Sequence, residues 1–138
     1  DAPPAHARVA TRRVLVVDDN EDAAASLGIL LQSLGHETAV AKSGPEALRL
    51  AAEFRPDIVL LDIGMPGMDG YEVARRLREM NRLRPIRVVA VTGWGQQEDR
   101  ERTREAGFDM HLVKPLDPQA LAQALEEKSS VRSGPTLH

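Results

Sequence analysis

Cysteine is absent from all 138 residues. That excludes a disulfide framework, a thiolate metal centre and a cysteine nucleophile, and it agrees with a cytoplasmic protein. Aromatics are sparse, with one Trp, one Tyr and two Phe, and none stands where a flavin ring would need flanking. No apolar stretch approaches the ~18 residues that a membrane-spanning helix requires, so no membrane partner is expected. Nothing at the start reads as a signal peptide. A net charge of −3 gives no reason to expect a polyanion, so nucleic acid is not an expected ligand either. What remains, 42% hydrophobic and 28% charged residues, is the composition of one ordinary globular domain long enough to bury a core. The first residue is Asp1 rather than Met, which suggests an excerpt of a longer chain or a processed product.

Four short apolar runs carry polar residues at their ends. Val14-Leu15-Val16-Val17 leads into Asp18-Asp19, Ile58-Val59-Leu60-Leu61 into Asp62, Val88-Val89-Ala90-Val91 into Thr92, and Leu112-Val113 into Lys114-Pro115. Short, β-branched and non-alternating runs of this kind read as strands buried on both faces of a parallel sheet. Helical patterns separate them. The first, about 20–34, places Ala23, Leu27, Leu30, Leu31 and Leu34 at steps of three and four, with Gly35 closing it. A second strand at 37–41 precedes a helix over 45–54. Asp69-Gly70 opens a third helix through Val73, Ala74, Leu77 and Met80, and Asp117-Pro118 opens a last one with Ala120, Leu121, Ala124 and Leu125 as its stripe. Five strands alternating with five helices predict an α/β domain, its parallel sheet covered on both faces. Residues 1–11, rich in Ala and Pro, read as a linker, 12–128 as the domain and 129–138, with Ser, Gly and Pro, as a tail.

The fourth predicted helix, 96–106, is polar nearly all round, with only Thr103 and Ala106 fit to face a sheet. Its Glu98–Arg102, Asp99–Arg102 and Glu101–Arg104 pairs would each contribute only ~0.2–0.5 kcal/mol. It reads either as a solvated surface helix or as a loosely held element able to shift with a neighbouring pocket. The arginines at 75, 76, 78, 82, 84 and 87 read as a solvated face.

In an open parallel sheet, ligands bind beyond the carboxyl ends of the strands. That edge would hold Asp18, Asp19 and Asp62, a charge of −3, against +1 from Lys114. A hard divalent ion would cancel the excess, and Mg²⁺ favours one or two carboxylates, waters and a phosphate oxygen. Asp62 is the best nucleophile, since carboxylates form acyl phosphates. Lys114 supplies a point charge for phosphoryl oxygens and Thr92 a hydroxyl donor, which is most of what phosphoryl transfer needs. Singly, each residue has a plainer explanation. Asp-Asp-Asn suits a helix N-cap, a lone Asp a turn, and Lys-Pro or Thr-Gly a strand end. The inference rests on all four markers meeting at one edge.

Val16-Val17-Asp18-Asp19-Asn20, Leu60-Leu61-Asp62-Ile63-Gly64-Met65-Pro66-Gly67-Met68-Asp69-Gly70, Val91-Thr92-Gly93 and Val113-Lys114-Pro115 resemble, in this order, the receiver domain of two-component response regulators over about 12–128. The stretch from Thr92-Gly93-Trp94-Gly95-Gln96 to Lys114-Pro115 is most similar to the C-terminal receivers of hybrid sensor histidine kinases. The resemblance implies a flavodoxin-like (βα)5 three-layer sandwich of strand order 2-1-3-4-5. It implies that Asp62 takes a phosphoryl group from a phosphohistidine on a histidine kinase or histidine phosphotransfer domain. Asp19, Asp62 and the Gly64 carbonyl would bind Mg²⁺ directly, with Asp18 acting through water. Thr92 and Lys114 would contact the phosphoryl group and relay it to a downstream protein through the face of the fourth helix, fifth strand and last helix. The Lys114–Pro115 peptide would be cis. A phosphorylation-dependent dimer is a further implied partner. Such a domain assists its own phosphorylation and dephosphorylation, so whether it counts as an enzyme stays open, the more so if the parent chain is a hybrid kinase.

Two positions depart from the family's commonest pattern. The switch position three before Lys114 usually holds Tyr or Phe, and here it is His111, an imidazole that would add pH sensitivity or merely stand half-exposed. Gly64, two after Asp62, leaves that flank bare, where Trp94 would partly cover it. A haloacid-dehalogenase-type phosphatase would need Asp-x-Asp, which Asp62-Ile63-Gly64 breaks, and a flavodoxin would need a phosphate loop. The remaining alternative is a pseudo-receiver that works as a phosphorylation-independent interaction module.

Overall fold

A computed structural model describes residues 11–65, 69–80, 86–93 and 105–133, with side chains through Glu126. Its strands are β1 (Arg13–Val17), β2 (Glu37–Ala41), β3 (Ile58–Asp62), β4 (Arg87–Thr92) and β5 (Met110–Val113). All pair in parallel, in the order β2-β1-β3-β4-β5. The helices are α1 (Glu21–Ser33), α2 (Gly44–Phe54), α3 (Gly70–Met80) and a C-terminal helix (Pro118–Ser133). The parallel sheet is what the strand-end pattern predicts, and its order is that of the flavodoxin-like arrangement the resemblance implies.

Alternation along the strands builds the three layers. Leu15, Val17, Val59, Leu61 and Val88 point to one face and pack with Ala47, Ala51, Val73, Ala74 and Leu77 of α2 and α3. Val14, Val16, Ile58, Leu60, Val89 and Leu112 point to the other, against Ala24 and Leu31 of α1 and Leu121, Ala124 and Leu125 of the C-terminal helix. Every residue of β3 is buried, as a central parallel strand must be. Full burial of such a side chain contributes about 1.5–3 kcal/mol. An exposed ion pair such as Lys42–Glu21 contributes about 0–1 kcal/mol. The two apolar layers, not the surface pairs, hold the fold.

Helix ends are set by local chemistry. Asn20 Oδ1 accepts from the Ala23 amide at 2.9 Å and caps α1, with Glu21 and Asp22 in the first turn. At the far end Gly35, at φ +97°, donates to Gln32 O while His36 donates to Leu31 O, a Schellman closure that only a residue tolerant of the left-handed region makes cheaply. The N-cap reading of 18–20 therefore holds for Asn20 alone, and Asp18 and Asp19 stand before the cap at the end of β1.

Some expectations need correction. In α1 the fully buried residues are Ala24, Gly28 and Leu31, with Leu27 and Leu30 only partly buried against them. Leu34 is 51% exposed and Met80 44% exposed; the first is the C-cap of α1 and the second the last residue of α3. Of the fourth predicted helix, 96–104 lies outside the described residues, as do Trp94 and the arginines at 82 and 84. Ala106 is described and is buried in the α2–α3 layer. The C-terminal helix continues through Ser133, overlapping the start of the segment read as a tail.

Candidate functional site

The carboxyl ends of β1, β3, β4 and β5 converge because their register is nearly level. Val17 pairs with Leu61, Asp62 with Val91, and Thr92 with Val113. Backbone bonds then lock the turns leaving the sheet: the Asp18 amide donates to Ala41 O, Ile63 to Val91 O and Lys114 to Thr92 O. As a result, Asp18, Asp19 and Asp62 come together, with one oxygen from each lying within 4.8 Å of the others. Asp18 and Asp62 are buried, whereas Asp19 is exposed.

Lys114 reaches back over this cluster. Its Nζ donates to Asp18 Oδ2 at 2.9 Å and to Asp62 Oδ2 at 3.0 Å. Partial burial pulls its pKa down, and that is the largest single influence. The hydrogen bonds from Asp18 and Asp62, with their negative charges, together outweigh burial and raise it above the ordinary lysine value. Lys114 is therefore a cation throughout the physiological range. The Lys114–Pro115 peptide is cis, as the resemblance implied.

The second oxygens of the buried carboxylates are held from below. Asp18 Oδ1 accepts from the Asn20 amide at 3.0 Å, and Asp62 Oδ1 from the Gly64 amide at 2.8 Å. These short-range turns fix each carboxylate plane, which a free side chain at a strand end would not do. The loop after Asp62 is pressed against α3: a Cβ on Gly70 would stand 2.7 Å from Ile63 Cγ2, so Asp69-Gly70 can start the helix only with glycine there. On the β4–β5 side, Thr92 is buried and its Oγ1 lies 2.9 Å from His111 Nε2. Beside the acidic cluster a cavity of about 310 Å³ opens between α1 and Pro115-Leu116, walled by Ala23, Leu27, Leu30 and Val91.

Residues 14–126 match the model of the response regulator receiver domain. The chain belongs to that family. A polar-differentiation response regulator, DivK, from Brucella ovis is 40% identical over 106 residues, 77% of this chain and 86% of that protein. Among solved structures, a CheY-like receiver domain from Methanospirillum hungatei superposes with a TM-score of 0.79 at 26% identity, covering 91% of this chain and 98% of that one. A chain in the co-crystal structure of the Saccharomyces cerevisiae histidine phosphotransfer protein Ypd1 with the receiver domain of Ssk1 gives a TM-score of 0.75 at 27% identity, covering 85% of this chain and 88% of that one. The protein is thus a receiver domain of two-component signalling. Among the described residues, no helix is long and apolar enough to cross a membrane.

In this receiver, Asp62 and Thr92 end β3 and β4, Asp18, Asp19, Gly64 and Lys114 follow within two residues of a strand end, and His111 lies two residues inside the end of β5. Sequence reasoning missed Arg78. Its sequence context suggests a solvated face, yet it donates to Ile86 O at 2.8 Å, to Gly107 O and to Asp109 Oδ2 at 2.5 Å. The signal was available: Arg78 follows Leu77 directly on α3, at the margin of the buried stripe, where a long side chain can turn back under the sheet.

Proposed function

We propose that this receiver is a phosphoacceptor: Asp62 takes a phosphoryl group from a phosphohistidine of a histidine kinase or histidine phosphotransfer domain and thereby switches a protein-binding face. The observation that carries this reading is the Lys114 ammonium shared between Asp18 and Asp62 at the sheet edge. In the transfer, an Asp62 carboxylate oxygen attacks phosphorus, the bond from phosphorus to the imidazole nitrogen breaks, and that nitrogen keeps the electron pair. Lys114 is placed to exchange a carboxylate contact for a phosphoryl oxygen, and Thr92 to donate its hydroxyl hydrogen to another. Water later cleaves the acyl phosphate, releasing inorganic phosphate and restoring the carboxylate.

The donor set suits Mg²⁺. Three carboxylates against one ammonium leave a net −2, all the donors are hard oxygens, and one of the carboxylates is exposed enough to admit a hydrated ion. Asp19, Asp62 and the Gly64 carbonyl would hold it, with Asp18 acting through water. When bound, it would neutralise charge on the incoming phosphoryl oxygens. Residues 12–128 are the receiver in this reading, flanked by a linker (1–11) and a tail (129–138). It works in the cytoplasm, either alone or as the C-terminal receiver of a hybrid kinase. The signal leaves through the face of the fourth predicted helix, β5 and the C-terminal helix, with dimerisation as one output.

Intact-mass spectrometry after incubation with acetyl phosphate, with and without Mg²⁺, tests the reading. One added phosphoryl group that requires Mg²⁺ and maps to Asp62 is expected. No addition under either condition would move the protein to the interaction-module alternative.

A further inference from the structure

We infer that His111 is a positioning residue that holds the Thr92 hydroxyl and determines whether its single hydrogen is available to a phosphoryl oxygen. This rests on the phosphoacceptor reading of Asp62. The register of β4 and β5 pairs Ala90 with His111 and Thr92 with Val113. Side chains two apart on a strand share a face, so His111 stands one diagonal step from Thr92. That step ends in contact: Thr92 Oγ1 and His111 Nε2 are 2.9 Å apart, with Thr92 buried and His111 half-buried.

A threonine hydroxyl has one hydrogen and two lone pairs, and each imidazole nitrogen either carries a hydrogen or accepts one. The pair therefore has two polarities. If Nε2 is bare, Thr92 donates to it and its hydrogen is committed. If Nε2 carries a hydrogen, the ring donates to Oγ1 and the Thr92 hydrogen is free for another acceptor. A phosphoryl group on Asp62 brings acceptor oxygens, so Thr92 can serve it without releasing His111 only in the second polarity. The phosphoryl group and the Nε2 hydrogen then favour one another, and by linkage each strengthens the other by the same factor. A phenyl ring in the place of His111 has no nitrogen and could not take part.

The test combines ring-nitrogen NMR with phosphoryl retention. ¹⁵N-labelled protein is observed before and after acetyl phosphate with Mg²⁺, and the acyl phosphate level is read by intact mass in the wild type, His111→Phe, His111→Gln, Thr92→Val and the His111→Phe/Thr92→Val double variant. The expected result is a hydrogen-bearing Nε2 in the phosphorylated protein. His111→Phe should change phosphoryl retention by about two- to tenfold, the reach of one neutral hydrogen bond. His111→Gln, whose amide N–H can donate to Oγ1, should restore much of the wild-type value. In the Thr92→Val background, His111→Phe should have no further effect. A bare Nε2 in the phosphorylated protein, or a His111→Phe effect of equal size without the hydroxyl, overturns the inference while leaving Asp62 as acceptor. A wild-type protein that gains no phosphoryl group overturns the reading beneath it.

Discussion

The two ends of the sheet use the same residue types to opposite effect. At the amino end, polar groups are matched. The Arg13 amide donates to Asp57 Oδ2 at 2.9 Å, and its guanidinium donates to Phe54 O, pairs with Glu37 and lies 4.2 Å from the Phe54 ring centre. Arg78 ties α3 to Ile86 O, Gly107 O and Asp109, whose Oδ2 also accepts from the Val88 amide. Arg87 Nε is the exception, buried without a hydrogen-bond partner among the described residues. At the carboxyl end three carboxylates face one lysine. One end is arranged for stability. The other keeps an unbalanced charge, the usual stability cost of a functional site. Substitutions at the two ends should therefore separate activity from stability.

Asp62→Asn should have the largest effect and only on function. Phosphorylation by acetyl phosphate, read by intact mass, should fall to nothing, because an amide is no acyl-phosphate nucleophile. Its thermal midpoint without Mg²⁺ should hold or rise, since one of three crowded negative charges has gone. Labelling of the variant at the wild-type level would remove Asp62 from its role. Arg78→Met should do the reverse. It loses hydrogen bonds from a charged group to two backbone carbonyls and to Asp109, and an unfolding free energy lower by about 2–3 kcal/mol is expected in urea titrations. Acetyl phosphate labelling well below the denaturation midpoint should stay near normal.

Lys114 lies between these extremes. Its pKa is raised in the folded protein, so its contribution to stability is fully present below the unfolded value of 10.5 and is lost as pH rises through the higher folded value. Wild type should therefore show an alkaline limb of instability that Lys114→Met lacks. In the variant the carboxylates are uncompensated, so Mg²⁺ should raise its midpoint more than it raises that of the wild type. Equal Mg²⁺ shifts would mean that Lys114 does not offset the acidic cluster.

The same contrast explains what the sequence disclosed. The carboxyl-end residues follow directly on apolar runs, so Asp18, Asp62, Thr92 and Lys114 could be placed from strand ends alone, whereas the strand order β2-β1-β3-β4-β5 came only with the family resemblance. The amino-end matches are between residues distant in sequence. Arg78 and Asp109 are 31 apart and Arg13 and Asp57 are 44 apart, and neither pair has a periodic signature. Helix stripes were legible in the middle and misleading at the ends: Leu34 and Met80 fit the period, yet both stand exposed at helix ends. The Thr92–His111 contact needed the β4–β5 register, which no local pattern supplies.

The smallest effect belongs to His36, at the matched end. Its ring is buried and its Nδ1 accepts from the Arg12 amide at 3.0 Å, while Arg12 Nε reaches Leu125 O on the C-terminal helix. Burial first, and the nearby Arg12 charge second, lower its pKa. The folded protein thus holds His36 neutral, whereas the unfolded chain protonates it near 6.5. The stability linked to this group is fully present above 6.5 and is lost as pH falls from there through the depressed folded value. His36→Asn offers an amide oxygen near the position of Nδ1, keeps an acceptor for the Arg12 amide and does not titrate. The difference between its urea midpoint and that of the wild type should be constant above pH 7 and shift in favour of the variant between pH 6.5 and 5, before the carboxylates contribute. A difference that stays flat across that interval would show that protonation of His36 is tolerated in the fold. The amino end would then be matched by packing and backbone bonds alone, not by the charge state of His36.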